Sequence, residues 1–158
     1  MNRAESPALR GTWLGRLLSF WNPVMRRLLV SPLHFLVSRW FVLIAYTGRK
    51  TGRLHQVPVS YVRDRGRLQV TTGDRWWHNL DANDAIALNY AGRWRSARAT
   101  PVLDHDQSRS QHVRLFRDHP WFRFLAGIPA TKDNRPDVKA LDRSIDAGRT
   151  LIGIDLLG

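Results

Sequence analysis

The sequence predicts an α+β protein built around a small barrel of about six mainly antiparallel strands, with short helices between them and an amphipathic helical N-terminus in front. Three observations carry that expectation. From residue 40 onward, short aromatic and β-branched runs recur between Gly, Asp and Asn turn signals. Over 40–72 these runs follow one another directly, as an antiparallel meander does, and not with the long helical spacers of a parallel sheet. A chain of 158 residues with 43% hydrophobic and 24% charged residues can bury a core of its own.

The elements follow in order. Trp13, Leu14, Leu17, Leu18, Phe20 and Trp21 fall at the spacing of an apolar helical stripe, with Arg10 and Arg16 beside it. Asn22-Pro23 reads as an N-cap and first helical residue for a second short helix, Val24 to Val30, and Ser31-Pro32 repeats the signal for Leu33 to Ser38. Strands are expected at Trp40–Tyr46, Gln56–Val62 and Leu68–Thr72, with Pro58 marking an edge or a bulge in the second. Gly73-Asp74 opens a short helix from Trp76 to Ala82, and strands follow at Ala85–Ala91 and Trp94–Val102. Helices are expected over Asp104–Asp118 and Asp137–Ala147, with irregular chain between Pro120 and Pro136 and a closing strand at Leu151–Leu156. This divides the chain into a helical segment, 1–39, and a barrel, 40–158.

Charge is the unusual feature of the composition. Lys+Arg is 25 against Asp+Glu 13, a formal net charge of +12, and only Lys50, Lys132 and Lys139 are lysines. Such a balance points to anionic partners: a phosphorylated small molecule, a membrane surface or nucleic acid. The first 55 residues carry eight arginines and Lys50 against Glu5 alone. With no cysteine, the chain has no disulfide, no thiolate nucleophile and no Cys-bound zinc or iron–sulfur cluster. No secretory signal is visible, and the apolar run from Leu28 to Tyr46 is interrupted by Pro32, His34 and Arg39, so it falls short of a membrane span. The expectation is a cytoplasmic protein whose basic amphipathic N-terminus either rests on the inner face of a membrane or packs across the barrel.

Hydrolase elbows, His-Glu-x-x-His pairs and Walker loops are absent. His105, His112 and His119 recur every seventh residue. A seven-residue step rises about 10.5 Å along a helix, whereas zinc ligands each lie about 2 Å from the ion. They read as one polar helix face, and no metal site is expected. Two segments remain. Thr47-Gly-Arg-Lys-Thr-Gly52 places a guanidinium, an ammonium and a hydroxyl in a turn bounded by glycines, a set suited to a phosphate or carboxylate and equally compatible with a solvated hairpin turn. Trp76-Trp77-His78-Asn79-Leu80 places adjacent indoles in different directions, able to serve as core anchors or as a platform for a flat ring.

In this order, Phe41 to Gly52, Val57 to Asp64 and Trp76 to Asn83 resemble the deazaflavin-dependent nitroreductase family, also described as nitroreductase/quinone reductase proteins. Asn22-Pro23 and Ser31-Pro32-Leu33-His34 resemble the N-terminal helices of one of its branches. The resemblance implies a split β-barrel of the flavin-reductase type and the deazaflavin coenzyme, factor 420. It implies that Arg49, Lys50 and Thr51 meet the coenzyme's phosphate and acidic tail. It further implies that His55, Val57, Pro58 and Ser60, with Thr71, Thr72 and Gly73, line the ring and ribityl chain, and that Trp76, Trp77 and Asn79 close the pocket. The implied reaction is hydride transfer to a quinone- or nitro-type acceptor, with a homodimer as the plausible assembly.

The chain departs from the family in two places. Only Asp74 and Arg75 separate Gly73 from Trp76, and the last tyrosine is Tyr90, so C-terminal tyrosines have no counterpart. No catalytic acid is assigned; His55, His78 and Tyr61 are candidates by chemistry only. These departures motivate an alternative, a non-catalytic barrel binding FMN, haem or a lipid. A nucleic-acid-binding protein ranks third, because the arginines are dispersed and no reading motif is present.

Overall fold

The computed structural model describes residues 23–80 and 85–158. Helix α1 spans 23–30 and a 3-10 helix follows at Pro32–Leu36, its N-cap Ser31 accepting from the Leu33 amide. The strands are β1 (Phe41–Thr47), β2 (Leu54–Asp64), β3 (Arg67–Thr72), β4 (Ala85–Tyr90), β5 (Arg93–Pro101) and β6 (Thr150–Leu156). A second 3-10 helix, Trp76–Asn79, lies between β3 and β4; helices α2 (His105–Asp118), α3 (Pro120–Leu125) and α4 (Val138–Asp146) lie between β5 and β6. The six strands form a closed barrel in the order β1-β2-β3-β6-β5-β4, every pair antiparallel.

Alternation along the strands sorts the side chains into two environments. Val42, Ile44, Val59, Tyr61, Val70, Leu88, Ala97, Ile152 and Ile154 fill the barrel. Residues of opposite parity face outward, where two further cores form. Val62 and Leu151 join Leu115, Phe116, Phe122, Leu141 and Ile145 beneath α2, α3 and α4. Leu43 joins Met25 and Leu29 of α1. The N-terminal helix is therefore fastened to β1 by a small apolar cluster.

The predicted strands are all present, with β2 two residues longer at each end. Pro58 lies in a stretch of β2 that pairs with β1 alone, because β3 joins only at Tyr61–Asp64. Its missing N–H therefore leaves no gap in a ladder on that side, as the edge reading requires. Asp104 and Asp137 cap α2 and α4, their carboxylates accepting from Gln107 N and Ala140 N. Three expectations need correction. The chain after Pro120 is not irregular throughout: Pro120 at the first helical position starts α3. The segment 33–38 and the segment after Gly73 form tight 3-10 turns and not α-helices. The expected 13–21 helix lies outside the described residues, as does the end of the expected 76–82 helix.

The arginines are also less solvated than their number suggests. Arg67 grips Asp155 through two bonds of 2.7 and 2.8 Å, and Arg114 grips Asp64 through two of 2.8 Å. Arg109 bonds Asp142 at 2.6 Å, and Arg123 donates to the Ile128 carbonyl at 2.6 Å. Arg114 holds the Asp64 carboxyl below its ordinary range, through its hydrogen bond first. Among the described residues no helix is long and apolar enough to cross a membrane.

The β4–β5 turn, Ala91-Gly92, has both residues at positive φ, 50° and 75°. A Cβ on Gly92 would lie 2.4 Å from the His34 ring, so the 3-10 segment packs on a bare backbone. Gly92→Ala should cost about 1–3 kcal/mol, from left-handed strain plus the clash. Adding His34→Ala should recover the steric part, which urea unfolding of the two variants would measure.

Candidate functional site

Strand direction collects the candidate residues at one end of the barrel. The β1–β2 connection, the end of β3, the Trp76–Asn79 turn and the start of β6 all meet there. The glycine turn is closed on itself by Gly48 N→Arg53 O at 2.8 Å and Gly52 N→Gly48 O at 2.9 Å. Gly52 sits at φ 64°, and a Cβ on Gly48 would meet Thr51 Oγ1 at 2.9 Å and His55 Nε2 at 3.0 Å. Both glycines are thus required, one by conformation and one by the hydroxyl and imidazole folded over it.

That turn is docked onto the tryptophan turn. The Arg49 amide donates to Asn79 Oδ1 at 3.0 Å, and Arg49 Nη1 donates to the His78 carbonyl at 3.0 Å. Asn79 in turn donates from Nδ2 to the Trp76 carbonyl at 2.9 Å. The Trp76 indole N–H donates to Thr72 Oγ1 at 3.1 Å, as does the Asp74 amide. Lys50 and Thr51 are exposed beside this junction.

An aromatic stack adjoins it. Tyr46 pairs across the hairpin with His55 and stacks on it at 5.5 Å between centroids, and on Trp76 at 5.6 Å. Burial, then the field of Asp74, pushes the Tyr46 phenol up, so it keeps its proton. Trp77 stacks on His78 at 3.8 Å. Both indoles are half-buried against the barrel core, so each is part anchor and part platform.

The structure thus brings together Arg49, Thr51, His55, Thr72, Trp76 and Asn79. Val57 faces the barrel interior, whereas Pro58 and Ser60 lie on the opposite strand face. Thr71 also faces outward, its hydroxyl 2.8 Å from His112 Nε2 and 3.1 Å from Arg149 Nη1. Gly73 is exposed, with Arg149 against it. Tyr61 is elsewhere: it lies roughly 20 Å along β2 from His55, and its hydroxyl donates to the Ser38 carbonyl at 2.8 Å. Burial pushes that phenol up to about 12.

The histidine triplet of α2 also differs from the expected polar face. His105 is exposed against Asp146, His119 terminates the helix, and His112 is fully buried. Its Nδ1–H donates to the Ser108 carbonyl at 2.8 Å, leaving Nε2 to accept from Thr71. Two residues of this end were not singled out by the sequence, Tyr46 and Arg149, and His112 was read only as part of a polar helix face. For Tyr46 the signal was available, since it shares the inward parity of Val42 and Ile44. His112 and Arg149 meet Thr71 only through tertiary packing.

The fold and these contacts define a closed antiparallel barrel with a cation-bearing glycine turn laid against an aromatic platform at one end. The sequence pattern of the F420H(2)-dependent quinone reductase family matches residues 30–120, and the chain belongs to that family of deazaflavin-dependent reductases. No curated protein matches the chain. Among solved structures, a conserved hypothetical protein from Mycobacterium tuberculosis is 15% identical with a TM-score of 0.48, covering 79% of this chain and 78% of its own. The haem storage protein HutZ from Vibrio cholerae is 13% identical at TM-score 0.47, covering 82% and 91%. An F420-H2 dependent reductase, FDR-A, is 16% identical at TM-score 0.37, covering 72% and 94%.

Burial holds the His112 imidazole down to about 4 from 6.5. The unfolded chain therefore binds a proton that the folded one refuses between these values. The stabilising contribution is complete above pH 6.5 and is lost as pH falls toward 4. Unfolding free energies from urea titrations at pH 7.5 and 5 should differ by about 2 kcal/mol through this residue. A His112→Gln variant should show a flatter pH dependence.

Proposed function

We propose that this protein binds the deazaflavin coenzyme factor 420 at the open end of the barrel and transfers hydride from its reduced form to a quinone-type acceptor, nitro compounds being a second acceptor class. The observation that carries the reading is the docking of the Arg49 turn on the Trp76–Asn79 turn beside the Tyr46–Trp76 stack. The donor set fits the group. A phosphate and a glutamate tail suit Arg49, Lys50 and the Thr51 hydroxyl, and a planar ring suits half-buried aromatic faces.

When bound, the reduced coenzyme supplies the hydride. The protein's own part is binding and orientation. Arg49 and Asn79 fix the turn that presents Lys50 and Thr51; Thr72 fixes the plane of Trp76; His55 and Tyr46 pack the adjoining wall. Pro58 leaves one side of β2 without ladder demands, where the backbone from Val57 to Ser60 would adjoin the ring.

The test is titration of the coenzyme's fluorescence with protein. Micromolar quenching is expected, and Arg49→Ala with Lys50→Ala should weaken it about ten- to a hundred-fold. Consumption of the reduced coenzyme in the presence of a soluble quinone tests the transfer. No quenching, together with a flavin or Soret absorption band in the purified protein, would replace this reading with the FMN or haem alternative.

We further infer a peripheral membrane contact, which suits a lipid-borne quinone. Leu33, Phe35 and Leu36 are exposed on the 3-10 segment, Phe35 at 61%, with Arg26, Arg27 and Arg39 exposed nearby. The protein should float with anionic vesicles. Phe35→Glu with Leu36→Glu should abolish that while leaving the melting temperature within a few degrees.

A further inference from the structure

Arg149 immediately precedes β6, whose first residue, Thr150, pairs with Thr72 at the site end of the barrel. Its guanidinium is held by three hydrogen bonds from three directions. Nε donates to Ser144 Oγ of α4 at 2.8 Å, Nη1 to Thr71 Oγ1 of β3 at 3.1 Å, and Nη2 to the Ala126 carbonyl after α3 at 2.9 Å. All three acceptors are neutral oxygens that orient the fork, and the Asp74 carboxylate offsets part of its charge.

The surroundings close one side and leave another open. Behind Thr71 stands His112, whose Nδ1–H is committed to Ser108. The Thr71 hydroxyl, accepting from Arg149, donates onward to His112 Nε2, so the imidazole is neutral and no second cation lies at its back. On the other side Nη2 lies against Gly73: a Cβ built there would meet it at 3.4 Å, an ordinary contact. Gly73 is exposed, and Arg149 is itself only part-buried. Burial pushes the guanidinium down to about 10, against the field of Asp74, next in the chain after Gly73, which favours its charge. A cation kept where burial works against it, on the rim of a site, needs a reason beyond packing.

We propose that Arg149 is a second anion-binding arm of the site, meeting a phosphate or carboxylate of the bound coenzyme from the Gly73 side while Arg49 and Lys50 meet it from the glycine turn. The proposal rests on the coenzyme reading above. It makes the anionic part of the ligand a two-point attachment: one arm is on the glycine turn docked against Trp76–Asn79, the other is fixed by α3, α4 and β3. The competing role for Arg149 is a strut that merely joins those three elements. The two roles part on ligand charge, because a strut supports the neutral ring as much as the charged tail.

The experiment measures fluorescence quenching by the full-length protein, wild type, Arg149→Lys and Arg149→Met. Three ligands are used: the deazaflavin chromophore with its ribityl chain alone, the same compound carrying the phosphate, and the full coenzyme with glutamates. Thermal melts are run in parallel. Arg149→Met should weaken the full coenzyme about ten-fold or more, leave the phosphate-free chromophore within about two-fold, and be partly rescued by Arg149→Lys. Loss that begins with the phosphate-bearing compound assigns the arm to the phosphate; loss seen only with the full coenzyme assigns it to the carboxylates. Equal loss for all three ligands, with a lowered melting temperature, makes Arg149 a strut and overturns the proposal, as does unchanged affinity throughout. A wild-type protein that binds none of the three overturns the coenzyme reading itself, and the anion arm with it.

Discussion

Barrel closure is the constraint on which the other features depend. Each strand has a partner on both sides, and β1 pairs with both β2 and β4. In an open sheet one strand can slip by a residue and exchange its faces; in a closed one the slip would have to pass around the whole circuit. The inward parity of Val42, Ile44 and Tyr46 therefore fixes that of His55, Val57, Val59 and Tyr61 opposite, and so on to Ile152 and Ile154. Closure also depends on the last strand. β6 lies between β3 and β5, and the three helices that precede it in the chain pack against the outside of the barrel. That detour is what delivers Ser108, His112, Ser144 and Arg149 to the back of β3.

The positive charge divides on the same geometry. Arg67, Arg109 and Arg114 form carboxylate forks on the helical flank, tying hairpin to strand and helix to helix. These pairs are partly exposed and each contributes modestly, but the fork geometry of arginine suits them in a way lysine does not. Arg49 uses its amide and one guanidinium nitrogen to join two turns. Arg149 is held by neutral oxygens. Composition gives a single figure of +12, and only the structure separates arginines forked onto carboxylates from those bonded to neutral oxygens.

Much of the barrel was legible because it rests on local signals. Aromatic and β-branched runs, the paired glycines after Thr47, Pro58, and the aspartates at 104 and 137 each state a backbone preference that the fold honours. The short helices were less legible. Trp76–Asn79 and Pro32–Leu36 carry helical composition, but their ends are pinned within a few residues by Thr72 and by Ser31, and a 3-10 turn is what fits. α3 was hidden because an aromatic-rich stretch between prolines reads as irregular until Phe122 is seen to enter the core made by Phe116 and Leu141. Of the candidate site, the glycine turn and the tryptophans were visible as motifs, and their hydrogen-bonded docking was not. His112 shares a helix face with His105 and His119, yet one is buried and two are not, because those two stand at the ends of α2, about 10.5 Å along the axis, and only the middle one lies opposite Thr71.

The two ends of the barrel are built for different work. At the far end Tyr61 N donates to the Trp40 carbonyl, the Tyr61 hydroxyl to Ser38, and Tyr90 packs edge-on at 5.8 Å, so polar groups there are spent on closing the interior. At the near end β2 and β3 part company after Tyr61 and Val70, and the strand ends are held by turns. Hydrogen bonds there join turns to one another and to the end of β3: Arg49 to Asn79, Trp76 to Thr72, Arg149 to Thr71. Loops wired to one another can hold side chains to a fixed geometry while leaving their outer N–H groups and ring faces unused by the sheet. That asymmetry, more than any single residue, is the ground for proposing binding at the near end. The same closed register that makes the far end a plug gathers the turns, the aromatic stack and the arginine arms into one place.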